Sequence, residues 1–292
     1  MTDSTFTLAT GQGGLPYILI ESADGARAEI YLHGGHVTSW VPAGQSDNRL
    51  FLSSTSGFAE GVAIRGGVPV IFPQFAAQGP LPKHGFARNR HWQLQSASRL
   101  ADGTAVATLS LQDNEQTRAI WSHAFKLELQ VSVFESTLEL ALSITNLDQQ
   151  VITFTHALHT YLAVVDIDDV QVLGLQHRRY QDSALGLKNC EQANEVLRIQ
   201  GEVDRIYNCS PQPLLVREVR NDLSIATIGF TDTVVWNPGA DKGAAFNDMQ
   251  AEGYRKMLCI EAAVIENPIN LAPGASWTGK QILTCLPSQP SN

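Results

Sequence analysis

Three stretches in the first half of the chain place apolar residues at every second position, and that period leaves them little choice of structure. In Ala105-Val106-Ala107-Thr108-Leu109-Ser110-Leu111, in Phe125 to Val133 and in Thr137 to Thr145, successive side chains alternate between apolar and polar. A period of two puts one set on a buried face and the other on a wet face, as a half-buried strand requires. Only Glu135-Ser136 separates the second and third stretches, so they read as a hairpin. Further strands are expected at 28–33, 36–41, 151–157, 170–175, 213–218, 224–230, 257–264 and 276–285. Gly, Pro, Asn and Asp separate them every 8–15 residues, which suggests an antiparallel β-sandwich rather than alternating βαβ units. The expected class is all-β with few short helices, the best helical candidate being Phe246 to Lys256, where Gly253 is a weak point. No linker divides the 292 residues, so one β-sandwich domain over 1–292 is expected, with a loose N-terminal segment and a loose tail at 287–292.

Charge and motifs exclude several kinds of partner. Lys and Arg number 20 against 29 Asp and Glu, a net charge of −9, which argues against general attraction to nucleic acid or an anionic membrane. The N-terminus lacks the basic and apolar segments of a secretory signal, and no run is long and apolar enough for a membrane span, so a cytoplasmic protein is expected. Cys190, Cys209, Cys259 and Cys285 form no CxxC pair, and read as reduced structural thiols. Asn208-Cys209-Ser210 fits a glycosylation sequon only formally. Neither a GxxxxGK[ST] loop nor a strand-linked GxGxxG occurs, and Gly11-Gln12-Gly13-Gly14 precedes any expected strand, so no nucleotide cofactor is expected. No GxSxG elbow is present either.

Acid–base and metal chemistry remain. His33 and His36 lie three apart, as do His156 and His159, but on a strand positions i and i+3 face opposite ways, so neither pair predicts a metal site. Ile64 to Phe75 and Leu81 to Arg88 crowd prolines and glycines around Arg65, Lys83, His84 and Arg88, which makes a structured loop rather than a regular element. Rigid loops carrying Arg and His are where binding groups tend to sit, although the arginines could instead serve backbone carbonyls. Glu261, alone in the apolar run Met257 to Val264, must be paired if it faces a core, and is otherwise a wet-face residue. His159 in Ala157-Leu158-His159-Thr160-Tyr161 is either a functional group or a satisfied structural histidine.

Taken together, Leu32 to Trp40, Ile64 to Phe75, Lys83-His84-Gly85-Phe86-Ala87-Arg88, Ala157 to Tyr161, Val203-Asp204-Arg205-Ile206-Tyr207, Val235-Trp236-Asn237-Pro238 and Leu258-Cys259-Ile260-Glu261 resemble the aldose 1-epimerase (galactose mutarotase) superfamily, in particular its glucose-6-phosphate 1-epimerase branch. The resemblance spans most of the chain. It implies a large antiparallel β-sandwich with a substrate cleft on one sheet, metal-free and cofactor-free chemistry, and a sugar phosphate as the partner of a monomer. It further implies His159 as general acid, Glu261 as general base and Arg65 and Arg88 as phosphate ligands. Gln74, His84 and Asp204 would touch sugar hydroxyls or support the arginines. The chain departs from the family pattern at Phe75-Ala76, where Phe-Gly is common, and at Asn237-Pro238-Gly239, where Asn-Pro-Trp is common. Anomer exchange needs one group to take the C1 hydroxyl proton while another protonates the ring oxygen, which suits a carboxylate and an imidazolium whose charge a nearby carboxylate favours. An epimerase for unphosphorylated aldoses and a non-catalytic carbohydrate-binding protein are the competing possibilities.

Overall fold

A computed structural model describes residues 6–208 and 213–287. Cys209 and Ser210 of the sequon, and most of the terminal segments expected to be loose, lie outside the described residues. Every strand pairing is antiparallel, in three sheets. The first is a meander of β1 (Phe6–Thr10), β2 (Pro16–Glu21), β3 (Arg27–Tyr31) and β4 (His36–Val41). A nine-stranded sheet runs in the order β15 (Val196–Arg198), β12 (Gln171–Leu173), β17 (Leu214–Arg217), β18 (Leu223–Ile228), β21 (Ser276–Cys285), β9 (Thr137–Asn146), β8 (Phe125–Phe134), β7 (Ala105–Gln112) and β6 (Gln93–Arg99). An eight-stranded sheet runs β14 (Leu187–Glu191), β13 (Arg179–Asp182), β16 (Val203–Tyr207), β19 (Asp232–Asn237), β20 (Met257–Leu271), β10 (Ile152–Leu158) and β5 (Val70–Ile71), with β11 (Tyr161–Ala163) also on β20.

The expected all-β class is what the chain adopts, and the alternating stretches became β7, β8 and β9. The hairpin closes at Phe134 opposite Thr137, with Glu135 at φ +50° in the tight turn. One apolar core joins all three sheets: Leu127 and Leu129 of β8, Leu140 of β9, Leu158 of β10, Ile260 of β20 and Trp40 of β4 belong to it, each almost wholly buried. Burying each such side chain stabilises the fold by about 1.5–3 kcal/mol, so the sheets are held face to face by the stripe that alternation predicted. A second, smaller apolar cluster lies on the other face of the eight-stranded sheet, around Tyr161, Trp236, Met257 and Cys259.

Two expectations need correction. The helix sought at 246–256 lies instead at Gly239–Ala244, and only Gly253–Lys256 forms a 3-10 turn. Glu252 sits at φ +57°, a left-handed residue that no helix accommodates. Gly11 to Gly14 does not precede the sheet region: it is the turn between β1 and β2. Strand β19 escaped notice because all six of its residues are buried, so no alternation marks it. Among the described residues no helix is long and apolar enough to cross a membrane.

Candidate active site

The outer face of the eight-stranded sheet carries a row of polar and aromatic side chains from neighbouring strands. Strand β20 sends Leu258, Ile260 and Ala262 into the inter-sheet core, which turns Cys259, Glu261 and Ala263 outward. After a register shift between Phe154 and His156, β10 and β11 pair with β20 in one register: Leu158 lies opposite Ala262 and Tyr161 opposite Cys259. Continued across the two residues between those strands, this register sets His159 opposite Glu261. Residues 102 apart in sequence are thus cross-strand neighbours, whose Cβ atoms such a pairing brings within about 4.5–5.5 Å. Their side chains meet with His159 Nε2 3.3 Å from Glu261 Oε1, and both are buried. On the next strands, Val234 and Trp236 of β19 lie opposite Glu261 and Cys259, and Asp204 of β16 lies opposite Trp236.

Above this row is a cavity of about 420 Å³, bordered by His159, Glu261, Asp204, Trp236, Tyr161, Arg65, His84 and Arg88 among others. A larger hollow of about 620 Å³ lies on the nine-stranded sheet, but Ser, Thr and acidic residues line it, with no His, Lys or Arg. The loops expected from Arg65 to Arg88 form the wall of the smaller cavity. His33 and His36 each hold a carbonyl of the segment that carries Arg65: Nε2 of His33 donates to Val62 O and that of His36 to Gly66 O, both at 2.7 Å. Gly66, at φ +117°, packs so closely on Phe51 that a Cβ would lie 2.3 Å from its carbonyl oxygen. Among the described residues no three His, Cys, Asp or Glu side chains cluster as metal ligands.

The two arginines differ in how they are occupied. Arg65 grips Asp248 with Nε and Nη2 at 3.2 and 3.1 Å, donates Nη1 to the Tyr161 hydroxyl at 3.2 Å and lies over the Phe246 ring. Arg88 donates Nη2 to Lys83 O at 3.1 Å, while its Nε is buried without a partner. His84 accepts a hydrogen bond from Ala76 N at Nδ1, which leaves Nε2 as its protonated nitrogen. Gln74 does not reach the cavity: its side-chain amide bonds Ala76 O, Leu81 O and Leu81 N, and so staples the loop. Sequence reasoning missed Asp248, Tyr161, Trp236, Phe246 and Lys242. Phe246 and Trp236 give the cavity an aromatic surface, although this chain has Gly239 where the family commonly has Trp. Gly239 itself, at φ +66°, could not carry a side chain, since a Cβ would lie 2.6 Å from Glu202 N.

The sequence profile of the aldose 1-epimerase family matches residues 16–284. The chain belongs to the aldose 1-epimerase family. Two relatives provisionally named glucose-6-phosphate 1-epimerase, from Cenchrus ciliaris and Escherichia coli K12, are 36% and 38% identical. These alignments cover 94% and 81% of this chain, and 86% and 79% of the relatives. The crystal structure of a protein provisionally named a mutarotase, from Salmonella typhimurium, superposes with a TM-score of 0.88 at 28% identity, covering 98% of this chain and 95% of that one.

In this aldose 1-epimerase family member, burial governs the charge of the central pair. It pushes Glu261 well above the ordinary carboxylate range, with the negative field of Asp204 adding to the effect. It pushes His159 well below the ordinary imidazole range, and His84, Arg88 and Arg65 press the same way. An imidazolium favoured by its neighbouring carboxylate was the expectation; the carboxylate is in place, but desolvation and the nearby cationic groups outweigh it. Both shifts favour the uncharged form of each group, so a proton on the pair is drawn toward Glu261 rather than His159. His84 is pushed down to about 3, first by burial and then by Arg88, Lys83 and Arg65, so it is neutral at pH 7. Asp204 is raised by burial and by Glu202 and Asp182.

Proposed function

We propose that the chain interconverts the α and β anomers of a hexose 6-phosphate, glucose 6-phosphate above all. One observation carries this: a buried carboxylate and an imidazole 3.3 Å apart face a cavity whose wall includes Arg88, with an unpartnered Nε. The names of the two relatives at 36% and 38% identity support the substrate class.

Opening the cyclic hemiacetal moves one proton off the C1 hydroxyl and another onto the ring oxygen while the C1–O5 bond breaks. The aldehyde rotates, and closure reverses the transfers. A pair that shares one proton suits this, because it gives at one oxygen, takes at the other and ends with the proton count it began with. His159 is the acid and Glu261 the base, which requires the shared proton to move to the imidazole in the complex. A phosphate beside Arg88 favours that move, since its negative charge offsets the cations that hold His159 neutral. Arg88 and Arg65 are the phosphate ligands, Arg88 leading because Asp248 already occupies the Arg65 fork. His84 Nε2–H and the Asp204 carboxylate serve sugar hydroxyls, and Gln74 acts by fixing the loop that bears His84. The whole chain works as one catalytic sandwich, as a cytoplasmic monomer and without a cofactor.

NMR exchange spectroscopy of glucose 6-phosphate anomers tests this, with wild type, Glu261→Gln and Arg88→Ala. Wild type accelerates exchange and Glu261→Gln abolishes the acceleration. Acceleration of free glucose alone would instead assign the protein to unphosphorylated aldoses, and no acceleration of either sugar would leave a carbohydrate binder.

A further inference from the structure

We propose that Gln281, on the opposite sheet, is a positioning residue for the His159–Glu261 pair, acting through Thr160 and the Ile260 carbonyl. This rests on the reading of that pair as the reaction centre. Strand β21 alternates so that Gly279, Gln281, Leu283 and Cys285 point inward. Gln281 is therefore an uncharged amide in a stripe that packing alone would fill with an aliphatic residue, and none of its surface is exposed. A buried amide costs about 1–3 kcal/mol when its groups go unpaired, so its partners explain its presence.

Those partners sit where the ladder under the active site is broken. The register that sets His159 opposite Glu261 also sets Thr160 opposite Ile260, and directly opposed residues of this kind exchange two backbone hydrogen bonds. One is made: Ile260 N donates to Thr160 O at 3.1 Å. The other is diverted, because the chain turns at His159 and Thr160 N donates to Leu158 O at 3.0 Å. Gln281 fills the gap from across the core. Its Nε2 donates to Ile260 O at 2.9 Å, and its Oε1 accepts from the Thr160 hydroxyl. The peptide joining Ile260 to Glu261 is planar, so holding the Ile260 carbonyl orients the backbone of Glu261. Holding Thr160 does the same for its neighbour His159. One side chain thus fixes both halves of the pair from beneath, and neither of its contacts reaches the substrate cavity.

The test compares Gln281→Met, Thr160→Val, Thr160→Ser and the double variant Gln281→Met/Thr160→Val in the exchange assay, with thermal melts. Misplacement of reacting groups by about 1 Å can cost 10²-fold. We therefore expect Gln281→Met to lower kcat about 10–100-fold with KM within threefold. Thr160→Val loses about 3–10-fold and Thr160→Ser, which keeps the hydroxyl, stays within twofold of wild type. The double variant is no worse than Gln281→Met, as expected for two parts of one device. A folded Gln281→Met protein with unchanged kcat, or equal losses for Thr160→Ser and Thr160→Val, would overturn the proposal. If Gln281→Met does not fold, the two Thr160 variants decide the matter between themselves. Glu261→Gln run in parallel separates the two levels: full activity there removes the acid–base pair itself, whereas its loss beside an unaffected Gln281→Met removes only the positioning role.

Discussion

His156 and His159 lie three residues apart on one length of chain, are both buried, and have opposite fates. His156 points into the inter-sheet core, where the rings of Trp277, Phe230 and Phe154 surround it at 4.1, 5.5 and 5.6 Å and neither ring nitrogen has a partner. Burial alone pushes it down to about 3. His159 points to the outer face, stacked on Tyr161 at 4.8 Å, with its Nε2 3.3 Å from Glu261 Oε1. Desolvation neutralises both, so a shifted imidazole does not by itself mark a catalytic one. What separates them is a second titratable group within reach and a cavity into which a substrate fits.

The largest expected effect removes that second group. Glu261→Gln keeps the shape and hydrogen-bonding capacity of the side chain but cannot exchange its proton, so kcat for anomer exchange should fall about 10²–10⁴-fold with little change in KM. The fold should stay intact, because the amide matches the carboxyl group in shape and burial favours the uncharged form of that carboxyl. A Glu261→Gln variant within fivefold of wild type would place His159 on the same footing as His156. Next in size is the phosphate end. Arg88→Ala should raise KM for glucose 6-phosphate about 10–100-fold, in line with the loss of one charge-assisted contact of about 1.5–3 kcal/mol, and should leave free glucose nearly unaffected. Equal losses on both sugars would show that Arg88 serves the wall of the cavity and not a phosphate.

The contrast also explains what could be seen in the sequence. Strands with one wet face, such as Phe125–Phe134 and Ser276–Cys285, declare themselves by alternation, whereas Asp232–Asn237 is covered on both faces and shows none. His159 and Glu261 stood out as polar residues in apolar strands, but that they meet depends on the register of two strands distant in sequence. Asp248 and Phe246 carry no local signal, since their roles exist only once Arg65 has folded onto them. The charge state was mispredicted because pairing is visible as residue types, while the depth of burial that overrides it is a property of the assembled sheets.

A smaller effect tests the inner histidine. His156→Leu replaces two unpartnered ring nitrogens with a side chain of similar size, so it should leave kcat within twofold and stabilise the fold by about 1–2 kcal/mol at pH 7. The sign with pH follows from the depressed folded-state pKa. The unfolded chain takes up the proton at about 6.5 and the folded one only near 3, so wild-type stability falls as pH drops between those values. This histidine's share of the slope is about 1.4 kcal/mol per pH unit, and His156→Leu removes it. Urea melts at pH 7 and pH 5 measure the difference, and identical stability gains at the two pH values would mean that His156 is charged in the fold.

The smallest expected effect lies at Ala76, where the loop departs from the family pattern. Its φ of +46° is left-handed, a conformation that costs an alanine about 1–2 kcal/mol more than a glycine. Ala76→Gly relieves that strain but adds conformational freedom to the unfolded chain worth about 0.5–1 kcal/mol, so the net gain should be about 1 kcal/mol or less. The loop should hold its shape, because its hydrogen bonds use the backbone of residue 76: its N–H donates to His84 Nδ1, and its carbonyl accepts from His84 N and Gln74. The alanine methyl nevertheless borders the cavity. If it only fills space, Ala76→Gly changes KM for phosphorylated and free sugar by the same small factor, within about twofold, as expected for one methyl-sized contact. A shift of tenfold in the ratio between the two sugars would instead make this loop, and not the arginine wall alone, the element that selects the substrate.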